Sequence, residues 1–542
     1  MSPSHIRILL LAIASLTGSA FVRAATDADP AADSTGLTAL PTPPAAAAEP
    51  PPAPTSPVAD LLAAPAPVTP YADPITLESA IAQALEANFD VELQRLTTTG
   101  STDAEEIARS DYDPTLTATA STAQSQSTRA TVDANGNIIP TSGIRSDDDT
   151  ARLSLAQKIP LGTTITGTSR LNVNERNFTG PATLNPAYNS SLGLAIRQPL
   201  LKGAGTDINN AALERARLGT ARARADFTAR VFTVIRDVEV GYSNLALARE
   251  AVGIRAFSLD VRKKLYEENG ARRDAGVATD LEVLQAEVAV ASAARDLLLA
   301  RQTAQDREDE LLRLLGKETF ENPVGPVTLP PIEPPAIDLA ASLVRARANT
   351  PEFASALASI RQQEIDVRSA QNNRLPQLDL GAQAGYTSTD ASTHDATSNI
   401  LNGDGYNWQV DLSLTVPWGF REERARLRQA RTGLQREEVR LAQIEQETLV
   451  AVRNAVRALQ ASADNVRLSS LTASLRAREF EVEKARYENG LSTFRRVQET
   501  QDDLDQARLA ELQAKVNLRT AQANLDRLEG TAPIRYGLTL LP

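Results

Sequence analysis

The 542-residue sequence contains no cysteine, two histidines and two tryptophans, and aromatic residues make up only 4% of it. Without cysteine, an exported chain forgoes disulfides, must be held by packing or by partners, and cannot carry the acylated cysteine of a bacterial lipoprotein. His394 is the only histidine beyond the first 24 residues, so metal sites and thiol or hydroxyl nucleophile systems are almost out of reach. No Asp/Glu pair stands out from the helical charge pattern, so no catalytic, cofactor-binding or metal-binding residue is assigned. No run of 18 apolar residues exists beyond residue 24, which excludes a transmembrane helix and leaves a barrel as the one route into a bilayer. The net charge of -12 argues against a nucleic-acid partner, because a phosphate backbone demands a basic face.

What the chain has is repetition. Ile75-Thr-Leu-Glu-Ser-Ala-Ile-Ala-Gln-Ala opens a passage that reaches Pro114-Thr-Leu; Ile337-Asp-Leu-Ala-Ala-Ser-Leu-Val-Arg-Ala opens another that reaches Pro376-Gln-Leu, 262 residues later at both ends. Gly276-Val-Ala-Thr and Leu314-Leu-Gly316 return as Gly490-Leu-Ser-Thr and Leu528-Glu-Gly530, each 214 residues later. A duplicated helix, strand and helix unit follows. Ahead of it, residues 1–24 have the layout of a secretory signal, with His5 and Arg7 before an apolar core from Ile8 to Leu16 and a cleavage site at Val22-Arg-Ala24. Residues 25–74 form an Ala/Pro-rich arm that cannot offset its ordering entropy, either a tether toward the cell wall or an unconstrained leader. The expected domains are repeat 1 (75–328), a Pro-rich linker (329–336), repeat 2 (337–530) and a tail (531–542).

Two periods alternate within each repeat. Phe227, Val231, Val234, Val238, Tyr242 and Leu245 form a coiled-coil stripe, as do Leu281, Leu284, Val288, Ala291 and Leu298, and then Leu504, Ala507, Ala514, Leu518, Ala521, Leu525 and Leu528. No proline interrupts the pattern from Asn209 to Asn269, a rod of roughly 90 Å at ~1.5 Å per residue. Strand periods follow other rules. Val410, Leu412, Leu414 and Val416 alternate with polar residues, Leu192, Leu194 and Ile196 alternate with Gly193, Ala195 and Arg197, and both runs end in proline, at Pro417 and Pro199. Their partners begin after Pro114 and Pro376. Tyr406 and Trp408 precede Trp418 and Phe420 by the length of a membrane strand, which reads as two interfacial girdles or, alternatively, as ordinary sheet-edge aromatics. Repeat 1 also has surplus strand-like sequence around Pro160-Leu-Gly162, either an extra membrane hairpin or an elaborated external loop.

With this order of elements, the chain resembles the TolC-like outer-membrane efflux proteins. The resemblance is carried by Leu77 with Ala80 and Asn88, Leu339 with Asn349 and Pro351, Gln198-Pro-Leu-Leu-Lys-Gly-Ala-Gly205, Tyr487-Glu-Asn-Gly490 and Leu525-Asp-Arg-Leu-Glu-Gly530. It implies an α+β membrane protein: a tandem-repeat α-helical coiled-coil tunnel continued by an outer-membrane β-barrel that a homotrimer shares. Four strands per chain would give a twelve-stranded barrel; if the surplus segment spans, each chain gives six. The implied function is a passive exit duct of a tripartite efflux or type I secretion system, working with a periplasmic adaptor and an inner-membrane transporter, without cofactor. A soluble periplasmic coiled-coil adaptor is the alternative. The resemblance also implies a closed entrance at the turns near Gly276 and Gly490, where Tyr487 matches a tyrosine and Glu282 its acidic partner. The family's arginine position is Ser492 here, and its two aspartate positions are Arg496 and Glu499.

Overall fold

The structure is a computed structural model, and it describes residues 74–538 apart from 128, 133, 142, 144, 178–183, 318–323, 329–337 and 403–404. The expected signal, nearly all of the arm, the inter-repeat linker and the end of the tail lie outside the described residues. In chain order the main helices are α1 (Leu77–Ala87), α2 (Phe89–Arg109), α3 (Ala211–Asp274), α4 (Asp280–Leu314), α5 (Leu339–Asn349), α6 (Pro351–Asn372), α7 (Arg421–Glu488) and α8 (Phe494–Glu529). The strands are β1 (Thr115–Gln126), β2 (Arg129–Val132), β3 (Ile138–Thr141), β4 (Arg145–Lys158), β5 (Thr164–Arg176), β6 (Ala187–Pro199), β7 (Gln377–Asp390) and β8 (Tyr406–Thr415).

Helix length sets the scale. α3 has 64 residues and α7 has 68, so each runs about 100 Å at ~1.5 Å per residue. A helix that long needs an equally long partner, and each repeat assembles one from two shorter helices placed end to end. Asn88 makes the joint in repeat 1: its Oδ1 accepts from Asp90 N at 2.9 Å, capping α2, while its Nδ2 donates to Leu314 O at 2.8 Å, closing the end of α4. In repeat 2 the Thr350 hydroxyl donates to Leu528 O at 3.2 Å. These two bonds are related by the same spacings, 262 and 214, that relate the sequences. The helix ends also approach closely. Gly316 (φ 69°) and Gly530 (φ 66°) end α4 and α8 in the left-handed region. A methyl group on Gly316 would strike the Ala87 carbonyl, and one on Gly530 would sit 2.7 Å from Asn349 Cβ.

The expected stripe from Phe227 to Leu245 is buried, in one core with Ile81, Val91 and Leu311. So is the stripe from Leu504 to Leu525. The stripe of α4 is different: Leu281, Leu284, Val288 and Leu298 are 56–67% exposed, and the face of α4 toward α3 is Ala286, Ala289, Val290, Ala293 and Leu297. Alanine lets the two backbones approach, so the larger leucines are left on the outer side. Heptad-spaced Leu468, Leu471, Leu475 and Val482 on α7 are exposed in the same way, as are Phe89, Leu93 and Leu96 on α2.

Six strands make one antiparallel sheet in the order β1-β4-β5-β6-β7-β8, and β2 and β3 pair separately. The surplus segment of repeat 1 is therefore the hairpin β4–β5, hydrogen-bonded in register between β1 and β6. Register carries one face through the whole sheet: Leu116 opposes Leu155, Gln157 opposes Ile165, Ile165 opposes Ile196, and Leu380 opposes Leu412. That face is apolar and uncovered, Leu412 being 64% and Leu194 52% exposed. On the opposite face, Arg197 meets Asp379 at 2.6 Å. Strands β1, β6, β7 and β8 connect to α2, α3, α6 and α7 through short segments, which include single helical turns at Ser110–Tyr112 and Thr206–Asn209.

If the joints hold the rods straight, Gly316→Ala and Gly530→Ala should each destabilise the protein by about 1–3 kcal/mol, from the left-handed conformation and the clash together. Thermal unfolding of detergent-solubilised protein would measure this. Unchanged midpoints in both variants would refute the close-approach argument.

Candidate functional site at the helix tips

At the end of the rods farthest from the sheet, α3 turns into α4 and α7 into α8. Both turns close in the same way, with Val277 N donating to Arg272 O at 2.9 Å and Leu491 N to Arg486 O at 2.8 Å. This six-residue closure satisfies the last helix carbonyls before the chain reverses. Leu265, Ala286, Phe480, Tyr487, Phe494, Val497 and Leu504 pack the two tips together.

Tyr487 lies at the centre of that cluster, buried. Its hydroxyl donates to Asn269 Oδ1 at 2.9 Å, and Asn269 Nδ2 donates to Leu265 O at 2.8 Å. The Arg272 guanidinium sits 4.4 Å from the Tyr487 ring centroid, a cation–π contact. Burial raises the Tyr487 phenol above its ordinary pKa, against the lowering effect of Arg272, while Glu268 and Glu282 add to the rise. The phenol therefore stays a hydrogen-bond donor at neutral pH.

Glu282 is placed otherwise. Its Oε2 accepts from Thr279 N at 2.8 Å and from the Thr279 hydroxyl at 3.2 Å, a capping box that starts α4. Within one chain, then, Tyr487 and Glu282 share a neighbourhood and no hydrogen bond. Ser492 donates to Glu483, which also pairs with Arg486 at 3.3 Å. Arg496 pairs with Glu499 at 3.3 Å and Glu479 at 3.8 Å, and Glu499 pairs again with Arg495 at 3.1 Å. The Arg496 and Glu499 pairs are exposed, on one helix surface and its neighbour, whereas Glu483 is buried.

Sequence reasoning missed Asn269, Arg272 and Glu483. A faint signal existed for Asn269, since Glu268-Asn269-Gly270 echoes Glu488-Asn489-Gly490. The echo is 220 residues apart rather than 214, so an in-register comparison sets Arg273 opposite Tyr487.

The other expected site residues lie by the sheet. Tyr406 and Trp408 stand exposed on the apolar face at the far end of β8, with Tyr386 opposite Tyr406. Trp418 is fully exposed beyond the other end of β8, and Phe420 (φ 48°) begins α7. Among the described residues, no helix is long and apolar enough to cross a membrane and no group of three or more His, Asp or Glu could hold a metal ion.

A two-part helical rod beneath a sheet with one apolar face is the architecture of a known family, and its profile, outer membrane efflux protein, matches residues 164–317 and 343–531. The chain belongs to that family. Outer membrane efflux proteins are channel proteins, and the place of this one is the outer membrane, with its helices in the periplasm. The chain is 28% identical over 307 residues to the pyoverdine export outer membrane protein OpmQ of Pseudomonas aeruginosa; the match covers 53% of this chain and 61% of OpmQ. Its fold is similar to the Campylobacter jejuni outer membrane channel CmeC (TM-score 0.61, 17% identity, 84% and 86% of the two chains). It is also similar to VceC of Vibrio cholerae (TM-score 0.61, 18% identity, 84% and 96%) and to CusC (TM-score 0.62, 15% identity, 86% and 95%).

If the buried Tyr487–Asn269 bond links the two tips, Tyr487→Phe and Asn269→Ala should couple by about 1 kcal/mol in a double-mutant cycle of thermal stability. Asn269→Ala should cost more than Tyr487→Phe, because it leaves a buried hydroxyl without an acceptor. Strict additivity would show that the bond contributes nothing.

Proposed function

We propose that three copies of this efflux protein assemble around one axis into a duct whose barrel crosses the outer membrane and whose helices line a periplasmic tunnel. One observation carries the assembly: every layer of the single chain ends in an unpartnered edge at the same two sides. On one side are the exposed stripes of α4 and α2, continued by β1. On the other are the exposed stripe of α7 and then β8. Lipid can cover the apolar sheet face but cannot satisfy the open edges of β1 and β8. A second copy can satisfy them, along the strands and the heptad stripes at once.

The duct is passive and performs no catalytic step. Cargo enters through the helix tips from an inner-membrane transporter held by a periplasmic adaptor, and leaves through the barrel. An adaptor role for the chain itself is disfavoured by the uncovered apolar face, which would be an aggregation hazard in water. Tyr487 and Glu282 act at the constriction, Tyr487 by tying the two tips together through Asn269 and Glu282 by fixing the start of α4. Arg496 and Glu499, paired with each other, present little net field to an ion entering the tunnel, so ion selectivity at this entrance is weak. Tyr406 and Trp408 mark the outer membrane interface; Trp418 and Phe420 mark the inner one.

Membrane fractionation with heat-modifiable gel mobility tests the reading, and recovery in the soluble periplasm would sink it. In planar bilayers, Tyr487→Phe combined with Glu282→Gln should raise conductance severalfold. Arg496→Asp should shift the reversal potential toward cation preference; an unmoved potential would show that Arg496 does not face the permeating ions.

A further inference from the structure

We propose that the hairpin β4–β5 forms part of the barrel wall, so that each copy contributes six strands and three copies close an eighteen-stranded barrel. The count of three rests on the duct proposed above; the six rest on the sheet itself. Two of the six have no counterpart in repeat 2.

The hairpin carries the marks of a wall element. β4 and β5 have 14 and 13 residues, as long as β7 with 14 and β6 with 13, and enough for a tilted membrane strand of roughly 9–11 residues. Leu153, Leu155 and Ile165 fall on the same uncovered face as Leu116 and Leu194. The opposite face of the hairpin is polar, with Arg152, Ser154, Thr166, Thr168 and Arg170. Its inner turn is seated on the strand-to-helix phrase of repeat 1: Gly205 N donates to Leu161 O at 3.3 Å, and the Thr163 hydroxyl donates to Gln198. A methyl group on Gly162 (φ 91°) would meet Gly203 O at 2.6 Å, so that seat is close-fitting.

Closure follows from direction and stagger. In a six-stranded antiparallel sheet, β1 and β8 run oppositely, so β8 of one copy can continue the antiparallel pattern with β1 of the next. Both strands are exposed along their whole length. Starting at Thr115, at the helix end of β1, the register passes through Ala156, Thr166, Ala195 and Gln383 to Gln409. Gln409 is six residues from Thr415, at the helix end of β8. Six residues of ~3.3 Å over five steps of ~4.8 Å give a tilt of about 40°, within the roughly 35–45° that barrel closure requires. Thr415 then meets Thr115 or Thr117 of the next copy, residues on its own face.

Width agrees as well. At that tilt each strand occupies ~6 Å of circumference, so six occupy about 38 Å and four only about 25 Å. The four helix rods beneath, spaced ~8–10 Å apart, occupy about 32–40 Å. Six strands continue the helical wall without narrowing. The barrel backbone would measure about 36 Å across, against about 24 Å for twelve strands at the same tilt.

The chain's two tryptophans and absent cysteines make the test clean. In a Trp408→Phe/Trp418→Phe background reconstituted with brominated lipid, Leu155→Trp and Leu171→Trp should be quenched severalfold more than Ser154→Trp and Asn172→Trp. Equal quenching of all four would overturn the inference. Separately, Ser413→Cys combined with Thr117→Cys or Thr119→Cys should oxidise to a covalent trimer, and failure of both pairs would overturn the three-copy reading underneath. Electron cryo-microscopy in nanodiscs distinguishes the two failures. Eighteen strands support the proposal, a trimer with a twelve-stranded wall refutes it and leaves the duct, and a particle without threefold symmetry refutes both.

Discussion

The architecture depends on a joint between helix ends. A helix of 68 residues cannot hide an apolar stripe against a neighbour half its length, so each repeat must make a long partner from two pieces. Joining them buries four backbone ends that would otherwise remain unsatisfied. Asn88 serves both sides of its joint, as acceptor for α2 and donor to α4; Thr350 supplies the donor in repeat 2. The glycines at 316 and 530 let the ends come close enough for this. The joint also sets the phase between α4 and α2, so that their exposed stripes lie on one side. Without it the outer edge of the molecule would not be continuous from tip to sheet.

From that continuity comes the division of labour between protein and surroundings. The buried faces of α3 and α8 carry the larger side chains, while α4 turns small residues inward and leucines outward. A sequence stripe alone does not say which neighbour it serves. Leu281, Leu284 and Val288 have the same spacing as Phe227, Val231 and Val234, and only the structure separates the stripe used within the chain from the one left free. The sheet divides in the same way, with one apolar uncovered face, one polar face and two edges, β1 and β8, without a neighbouring strand.

Much of this was legible in the sequence because its periods are simple. The 262 and 214 spacings predict the repeat down to equivalent hydrogen bonds, and alternation at Val410, Leu412 and Leu414 gives the uncovered apolar face of β8. Two features were not. Whether the sequence around Pro160-Leu-Gly162 joins the sheet depends on pairing with β1 and β6, non-local contacts that alternation does not encode. The setting of Tyr487 depends on Asn269, 218 residues away in sequence and out of register with the repeat. Glu282 was legible as an acid near the turn, but its capping role requires the geometry of Thr279.

The two repeats diverge at opposite ends of the proposed duct, and the consequences differ. Surplus strands lie in repeat 1, in the sheet; altered charges lie in repeat 2, at the tips. In a conduit of sections in series, the narrowest section dominates resistance to flow and selection among solutes. A wider barrel, as proposed, would therefore change what can leave only if the tips already admit it. At the tips the charges pair locally, Arg496 with Glu499 and Glu479, and Ser492 with Glu483. The Arg496 pairs resist reorganisation weakly because they are half exposed and screened by salt, whereas the Glu483 carboxylate is buried. The firm contacts there are the buried ones, chiefly Tyr487 with Asn269 under Arg272. In the proposed duct an opening motion would have to break or carry the Tyr487–Asn269 contact, so burial at the tip, more than surface charge, would set the threshold for passage.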